Sequence, residues 1–271
     1  MDTKFTVLLA VYANDDSEQL QFCLDSVYAN TAKPSEVLLV VDGPIPIDIK
    51  LVINKYVILN HLNVIYLKSN RGLFYALNAG LAQAENELIF RIDPDDFCKI
   101  DRFERQLKVI NNGFDLCGGV IAEVDNKGVT LGLRIVPTSK DDILKFIKYR
   151  NPFNHVSVAF RKTFALECGG YPNVYLREDY ALWVAMITKG ARVFNSNEIY
   201  SFARVDNGLM QRRGGFKYAC GEILLQKQLL SSGLTNLGFA LAVGMMRFLV
   251  FVIPSGIRSF IYKFFLRDRS E

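Results

Sequence analysis

Three carboxylates fall within four residues in Asp93-Pro94-Asp95-Asp96, directly after the apolar run Leu88-Ile89-Phe90 and the pair Arg91-Ile92. Ionised carboxylates this close repel one another, and burying them uncompensated costs several kcal/mol or shifts their pKa, so the pattern implies a bound cation. Oxygen-only ligands suit Mg²⁺ or Mn²⁺, which is typically shared between one or two carboxylates and substrate phosphates. The plainer alternative is an acidic turn leading into the helix that begins at Asp101. A second acidic pair, Glu178-Asp179, heads a helical pattern through Leu182, Trp183, Ala185 and Met186, where acids also serve as first-turn residues. Further on, Arg204 and Arg212-Arg213-Gly214-Gly215 place guanidinium groups beside glycines. Such a segment can grip phosphate bidentately or stand as a solvated basic loop.

The elements that must carry these residues alternate in kind. Phe5–Val11 and Val37–Val41 are continuous apolar runs of strand length, as expected for strands covered on both faces; Val64–Leu67 and Leu88–Ile92 are shorter strands. Between them lie helical patterns: one capped by Ser17, one over 48–60, and one opened by Asn70-Arg71-Gly72 and running through Ala84. Strands alternating with helices imply a parallel, doubly wound α/β sheet, whose ligands bind beyond the carboxyl ends of the strands. The Tyr12 loop after Val11, Asp42 and the Asp93 cluster all occupy such ends and should converge on one crevice. Beyond Asp101 the alternation stops. Leu116–Val124 and Val129–Val136 flank the turn Asp125-Asn126-Lys127-Gly128 as a hairpin, a helix covers roughly 139–149, and Val156–Phe160 reads as a strand after the polar loop Asn151-Pro152-Phe153-Asn154-His155. The second half is therefore mixed.

Composition narrows the class. With 271 residues, half of them hydrophobic, and a formal charge of +4, the chain is a globular domain with an appendage and carries no nucleic-acid signature. Five scattered cysteines without a C-x-x-C pair argue against a disulfide framework or zinc site and fit a reducing compartment; the N-terminus has no signal-peptide pattern. The expected organisation is a domain over 1–232, with a nucleotide-binding half (1–100) and an acceptor half (101–232), followed by a basic, apolar segment over 233–271. Phe239–Ile253 is too short to span a bilayer and contains Arg247; after Pro254, apolar Ile257, Phe260, Ile261, Phe264 and Leu266 alternate with Arg258, Lys263 and Arg267. That pattern suits helices lying in an anionic membrane surface, and equally a helix pair packed on the domain.

Taken together, Thr6-Val-Leu-Leu-Ala-Val-Tyr12, Val41-Asp-Gly43, Asn70-Arg-Gly-Leu73 with Ala76-Leu-Asn-Ala-Gly-Leu81, Arg91-Ile-Asp-Pro-Asp-Asp96 and Arg177-Glu-Asp-Tyr-Ala-Leu-Trp183 resemble glycosyltransferase family 2. The resemblance covers roughly residues 4–215, and its nearest look is to bacterial transferases that build O-antigen or capsule repeat units on a lipid diphosphate. Pro94 stands where family members often carry Ala or Ser, and a fixed φ is compatible with the turn.

The resemblance implies an inverting enzyme with the GT-A fold that uses a UDP-sugar donor, Mn²⁺ or Mg²⁺, and a lipid-diphosphate-linked saccharide acceptor at the cytoplasmic face of the inner membrane. It implies that Val11, Tyr12 and Asp42 hold the nucleoside and that Asn70, Gly72 and Asn78 line the donor pocket. Arg91, Asp93 and Asp95 would contact the nucleotide sugar, with Asp95 and Asp96 on the metal. Asp179, or Glu178, is the expected base. His155 is a metal or phosphate neighbour or else a core histidine, while Arg204, Arg212 and Arg213 would meet either the leaving diphosphate or the acceptor's. A sugar nucleotidyltransferase would also place carboxylates at strand ends, but Val11-Tyr12-Ala13-Asn14 lacks its glycine-rich phosphate loop. A non-catalytic nucleotide-sugar binder would not need both acidic groups.

Overall fold

The computed structural model describes residues 3–205 and 215–252. β1 (Phe5–Val11), β2 (Glu36–Val41), β3 (Asn63–Tyr66) and β4 (Leu88–Arg91) form a parallel array in the order β3-β2-β1-β4. They are linked by α1 (Ser17–Ala29), α2 (Ile47–Asn60) and α3 (Leu73–Gln83). The continuous apolar strands follow from burial on both sides. Leu8, Ala10, Leu38, Val40 and Ile89 face one hydrophobic cluster, whereas Phe5, Val7, Leu9, Val11, Leu39 and Phe90 face the other. At α1, Asp16 rather than Ser17 is the cap, its carboxylate accepting from the Gln19 amide at 2.9 Å.

Past β4 the sheet turns mixed, as the loss of alternation implies. β5 (Phe97–Cys98), α4 (Arg102–Asn111), β6 (Leu116–Val124), β7 (Thr130–Arg134), α5 (Lys140–Phe146), β8 (Ala159–Arg161), α6 (Lys162–Glu167), α7 (Glu178–Thr188) and β9 (Val193–Arg204) follow. β8 inserts antiparallel beside β4, and the order continues β8-β6-β9-β5 with β7 on β6. The strand expected over 156–160 is instead a 3-10 turn, His155–Ser157, followed by the shorter β8. The Ser157 hydroxyl explains the turn: it accepts from the Gly119 amide and donates back to the chain, a side-chain arrangement that competes with a ladder.

Arg102, fully buried, joins this half to β4 with no carboxylate among its hydrogen-bond partners in the described residues. It donates to the carbonyl oxygens of Arg91 (2.7 Å), Val156 (2.8 Å) and Val158 (3.2 Å) and to the Ser201 hydroxyl (2.9 Å). The described chain closes with α8 (Phe216–Ser231) and α9 (Leu237–Val252), which pack on each other; α8 also meets α7, Gln228 donating to the Ala181 carbonyl at 2.8 Å. The expected boundary at 232–233 thus falls in the turn between two mutually packed helices. No helix among the described residues is long and apolar enough to cross a membrane.

Candidate active site

β4 delivers its last residues to the crevice mouth, where the Asp96 amide donates to the Asp93 carbonyl at 3.2 Å and closes the acidic turn. Carboxylate oxygens of Asp93, Asp95 and Asp96 lie within 4.8 Å of one another. Asp93 is ion-paired with Arg91, whose side chain is fully buried and whose Nε and Nη1 have no partner among the described residues. Burial, with Asp95 and Asp93 beside it, holds the Asp96 carboxyl well above the usual carboxylate range. Three clustered carboxylates, one of them kept from ionising by burial and its neighbours, form an oxygen-only donor set that fits a hard divalent cation, which would favour the ionised form of Asp96.

Pairing of β5 with β9 brings Arg204 to the same turn. Its amide donates to Asp96 Oδ1 at 2.9 Å and its Nη1 to the Asp95 carbonyl at 2.6 Å, while the guanidinium lies over the rings of Phe22 and Phe97 at 5.1 and 5.3 Å. Arg204 therefore stands at the acidic cluster. Arg212 and Arg213 lie outside the described residues.

Buried Asp42 follows β2, and its two oxygens accept from the amides of Arg71 and Gly72, each at 2.9 Å. This fixes the 70–72 segment at the start of α3. The next residue has to be glycine: Gly43 has φ +90°, and a Cβ there would sit 2.5 Å from the Asn70 nitrogen. Asp42 is thus a loop anchor, whatever else it touches. Asn78 is likewise a brace, its amide bonding the Tyr171 backbone at both ends (2.7 and 2.8 Å).

Asp15 was not singled out from the sequence, where it read as one polar residue of the Tyr12 loop. Its carboxylate accepts from the Tyr12 amide at 2.8 Å, and burial, partly offset by that bond and reinforced by the charges of Asp95 and Asp93, pushes it up to about 7. The available signal was its place on a loop at a strand's carboxyl end.

The second acidic pair stands where α7 starts. Leu176 holds a left-handed φ of +52°, a strained conformation for its type, immediately ahead of Arg177 and the acidic pair. Glu178 is buried; that burial, then Asp179, then Asp93, pushes its carboxyl up to about 7. Asp179 Oδ2 accepts from Asn151 Nδ2 at 2.7 Å, and its Oδ1 accepts from the Tyr180 amide at 2.7 Å. Asn151 is a second residue whose role the sequence did not disclose. Among the described residues the side chains grouped closely enough to hold a metal are Asp93, Asp95 and Asp96, whereas His155, expected as a metal or phosphate neighbour or a core histidine, has its Nε2 3.2 Å from the Tyr171 hydroxyl. Burial and the nearby Arg91 push its imidazole down to about 4, so it is neutral at pH 7.

These groups share one crevice. Asp93 acts on Glu178, His155 and Tyr171, and Arg91 on the same three. The acidic turn, with Arg204 beside it, therefore lies near a second carboxylate pair, Glu178 and Asp179, able to take a proton.

Comparison with known proteins agrees with this architecture. The chain is 34% identical over 267 residues, 97% of each chain, to an Escherichia coli UDP-Gal:alpha-D-GlcNAc-diphosphoundecaprenol beta-1,3-galactosyltransferase. It is 31% identical to the amylovoran biosynthesis glycosyltransferase AmsE of Erwinia amylovora, over 96% of this chain and 98% of that one. Among solved structures, S. aureus TarS 1-349 in complex with UDP-GlcNAc superposes with a TM-score of 0.69 at 20% identity, covering 97% of this chain and 76% of that chain. The sequence profile described as Glycosyl transferase family 2 matches residues 6–170, the span that builds β1 to β8 and the acidic turn, and the chain belongs to that family.

Proposed function

We propose that this glycosyltransferase moves a hexose from a UDP-sugar to a saccharide carried on a lipid diphosphate, inverting the anomeric centre, in the assembly of an O-antigen or capsule repeat unit. The observation that carries the reading is the clustering of Asp93, Asp95 and Asp96 at the end of β4, near enough to the Glu178/Asp179 pair at the start of α7 for Asp93 to raise the Glu178 carboxyl. The Escherichia coli relative, matched over nearly its whole length, supports the donor and the lipid-linked acceptor, and AmsE supports a place in polysaccharide synthesis.

In a single displacement the acceptor hydroxyl oxygen bonds to the anomeric carbon while the bond from that carbon to the diphosphate oxygen breaks, its electron pair leaving with UDP. The proton released by the hydroxyl passes to the Asp179 carboxylate, which Asn151 Nδ2 orients, with Glu178 as the neighbouring alternative. Asp95 and Asp96 would hold Mn²⁺ or Mg²⁺, which supplies Lewis-acid neutralisation of the charge developing on the departing diphosphate. Arg204 is held at the same turn to stabilise that charge, and buried Arg91 holds Asp93 through their ion pair. Val11, Tyr12, Asp42, Asn70 and Gly72 shape the nucleoside side.

The membrane surface is the proposed working place. α9 presents Leu237, Leu241, Met245, Met246, Leu249 and Val252 outward, an apolar face on the element expected to touch lipid. The more basic stretch from Ile257 to Leu266 lies outside the described residues.

Offering the protein a panel of UDP-sugars and synthetic sugar-diphosphate-lipid acceptors, with product linkage read by NMR, tests the reading. Asp95→Ala should abolish metal-dependent transfer, and Asp179→Asn should retain UDP binding while losing turnover. Normal turnover in Asp179→Asn would sink the assignment of the proton acceptor.

A further inference from the structure

Both segments that set the geometry of Asp179 are gripped from the C-terminal helix pair. The first is the start of α7. Arg177, the residue before Glu178, is buried; its guanidinium pairs with Glu222 of α8 at 2.8 Å and lies over the rings of Tyr218 (4.6 Å) and Phe251 (5.2 Å). α8 comes close enough to do this because Gly221 has no side chain: a Cβ there would stand 3.0 Å from the Tyr175 carbonyl oxygen. The second segment is the approach to Asn151. Arg247 of α9 donates through Nη2 to the carbonyl of Tyr149, two residues upstream of Asn151, and the Tyr149 ring packs on Phe239 of α9 with centroids 4.8 Å apart.

The two grips meet at one atom group. Glu222 is fully buried and pairs with two cations through the same oxygen, Arg177 Nη2 at 2.8 Å and Arg247 Nη1 at 3.1 Å from Oε2, while its Oε1 accepts from Gln226 Nε2 at 2.8 Å. A buried ion triad is a poor stabiliser, since apolar side chains of similar size usually do as well; what it adds is a fixed register between the parts it joins. Here the joined parts are α8, α9, the start of α7 and the segment before Asn151. Arg247, expected from the sequence to be one of the basic residues of a membrane-facing tail, is turned inward to this triad.

We propose that Glu222 and Arg247 are positioning residues for the transfer step, so that the C-terminal helix pair belongs to the catalytic apparatus. The inference rests on Asp179, oriented by Asn151, being the proton acceptor. Loosening the triad lets the two supports of that carboxylate shift relative to each other, and displacements of about 1 Å suffice to lower turnover by about a hundredfold. The proposed nucleotide side is anchored elsewhere, through the Asp42 bonds to the Arg71 and Gly72 amides, and should be indifferent to the triad.

The test is steady-state transfer to a synthetic sugar-diphosphate-lipid acceptor, alongside UDP binding by titration calorimetry and thermal melting, in the full chain carrying Arg247→Met or the isosteric Glu222→Gln. The expected result is a fall in kcat of about tenfold to a hundredfold with the UDP dissociation constant within about twofold of the parent. Unchanged kcat in both variants would overturn the proposal. So would kcat and UDP affinity falling together, or loss of fold in both, because each assigns the triad to stability alone. Asp179→Asn in the same assay separates the two claims: if it turns over normally the base assignment fails, whereas an inactive Asp179→Asn beside a fully active Arg247→Met refutes only the positioning role.

Discussion

Glu178 shows how environment turns a common side chain into a working one. A carboxyl at a helix start ordinarily ionises easily, yet burial between Asp179 and Asp93 lifts this one to about 7. The sign for stability follows. From the ordinary value of 4.5 up to about 7, the folded chain keeps a proton that the unfolded chain has released, so raising the pH through that window costs stability, on the order of 3 kcal/mol once complete. Glu178→Gln removes that cost. Its melting temperature should exceed the parent's at pH 8 and match it near pH 4; an equal offset at both values would contradict the assignment. Residues of this kind were legible as types in a place: Asp93, Asp95, Asp96, Glu178 and Asp179 all stood out. Their partners did not. Asn151 lies 28 positions before the carboxylate it orients, and nothing local marks an asparagine for that role. Asp15 was hidden in a loop whose composition already accounted for it, and only the fold brings its charge to the Asp93 cluster.

Among elements, β1 to β4 and α1 to α3 could be read because each strand is apolar on both faces and each helix has one buried stripe. The later strands gave no such signal. β9 is interrupted by Asn195-Ser196-Asn197-Glu198, and its register against β6 shifts at Gly119 and Val120, so neither alternation nor a continuous apolar run survives. β5 has only two residues and exists through its pairing with β9. A sharp expectation at this scale concerns the Asp42-Gly43 turn after β2. Gly43→Ala must either expel the Asn70 backbone or leave a positive φ on alanine, which costs on the order of 1–3 kcal/mol. The variant should melt several degrees lower and bind UDP more weakly, because the same turn presents Asp42 to Arg71 and Gly72. Unaltered UDP affinity would detach the turn from the donor pocket.

For the molecule as a whole, the open question in the sequence was whether the C-terminal stretch lies on lipid or packs on the domain, and α9 does the second while its outer face remains available for the first. Leu241, Met245 and Leu249 recur at helical spacing on that outer face and are more than half exposed, so replacing all three with Gln leaves the packing intact. The triple variant should sediment less with vesicles containing anionic lipid while keeping its melting temperature; undiminished sedimentation would move membrane contact elsewhere. The inward turn of Arg247 has a practical side for anyone recombining such enzymes. Because α9 holds Tyr149 and, through Glu222, the start of α7, a swap of acceptor preference between relatives cannot be made at a junction near residue 232. The transplantable unit is the segment from Tyr149 through α7 together with α8 and α9, and hybrids that divide it should be soluble, donor-competent and slow.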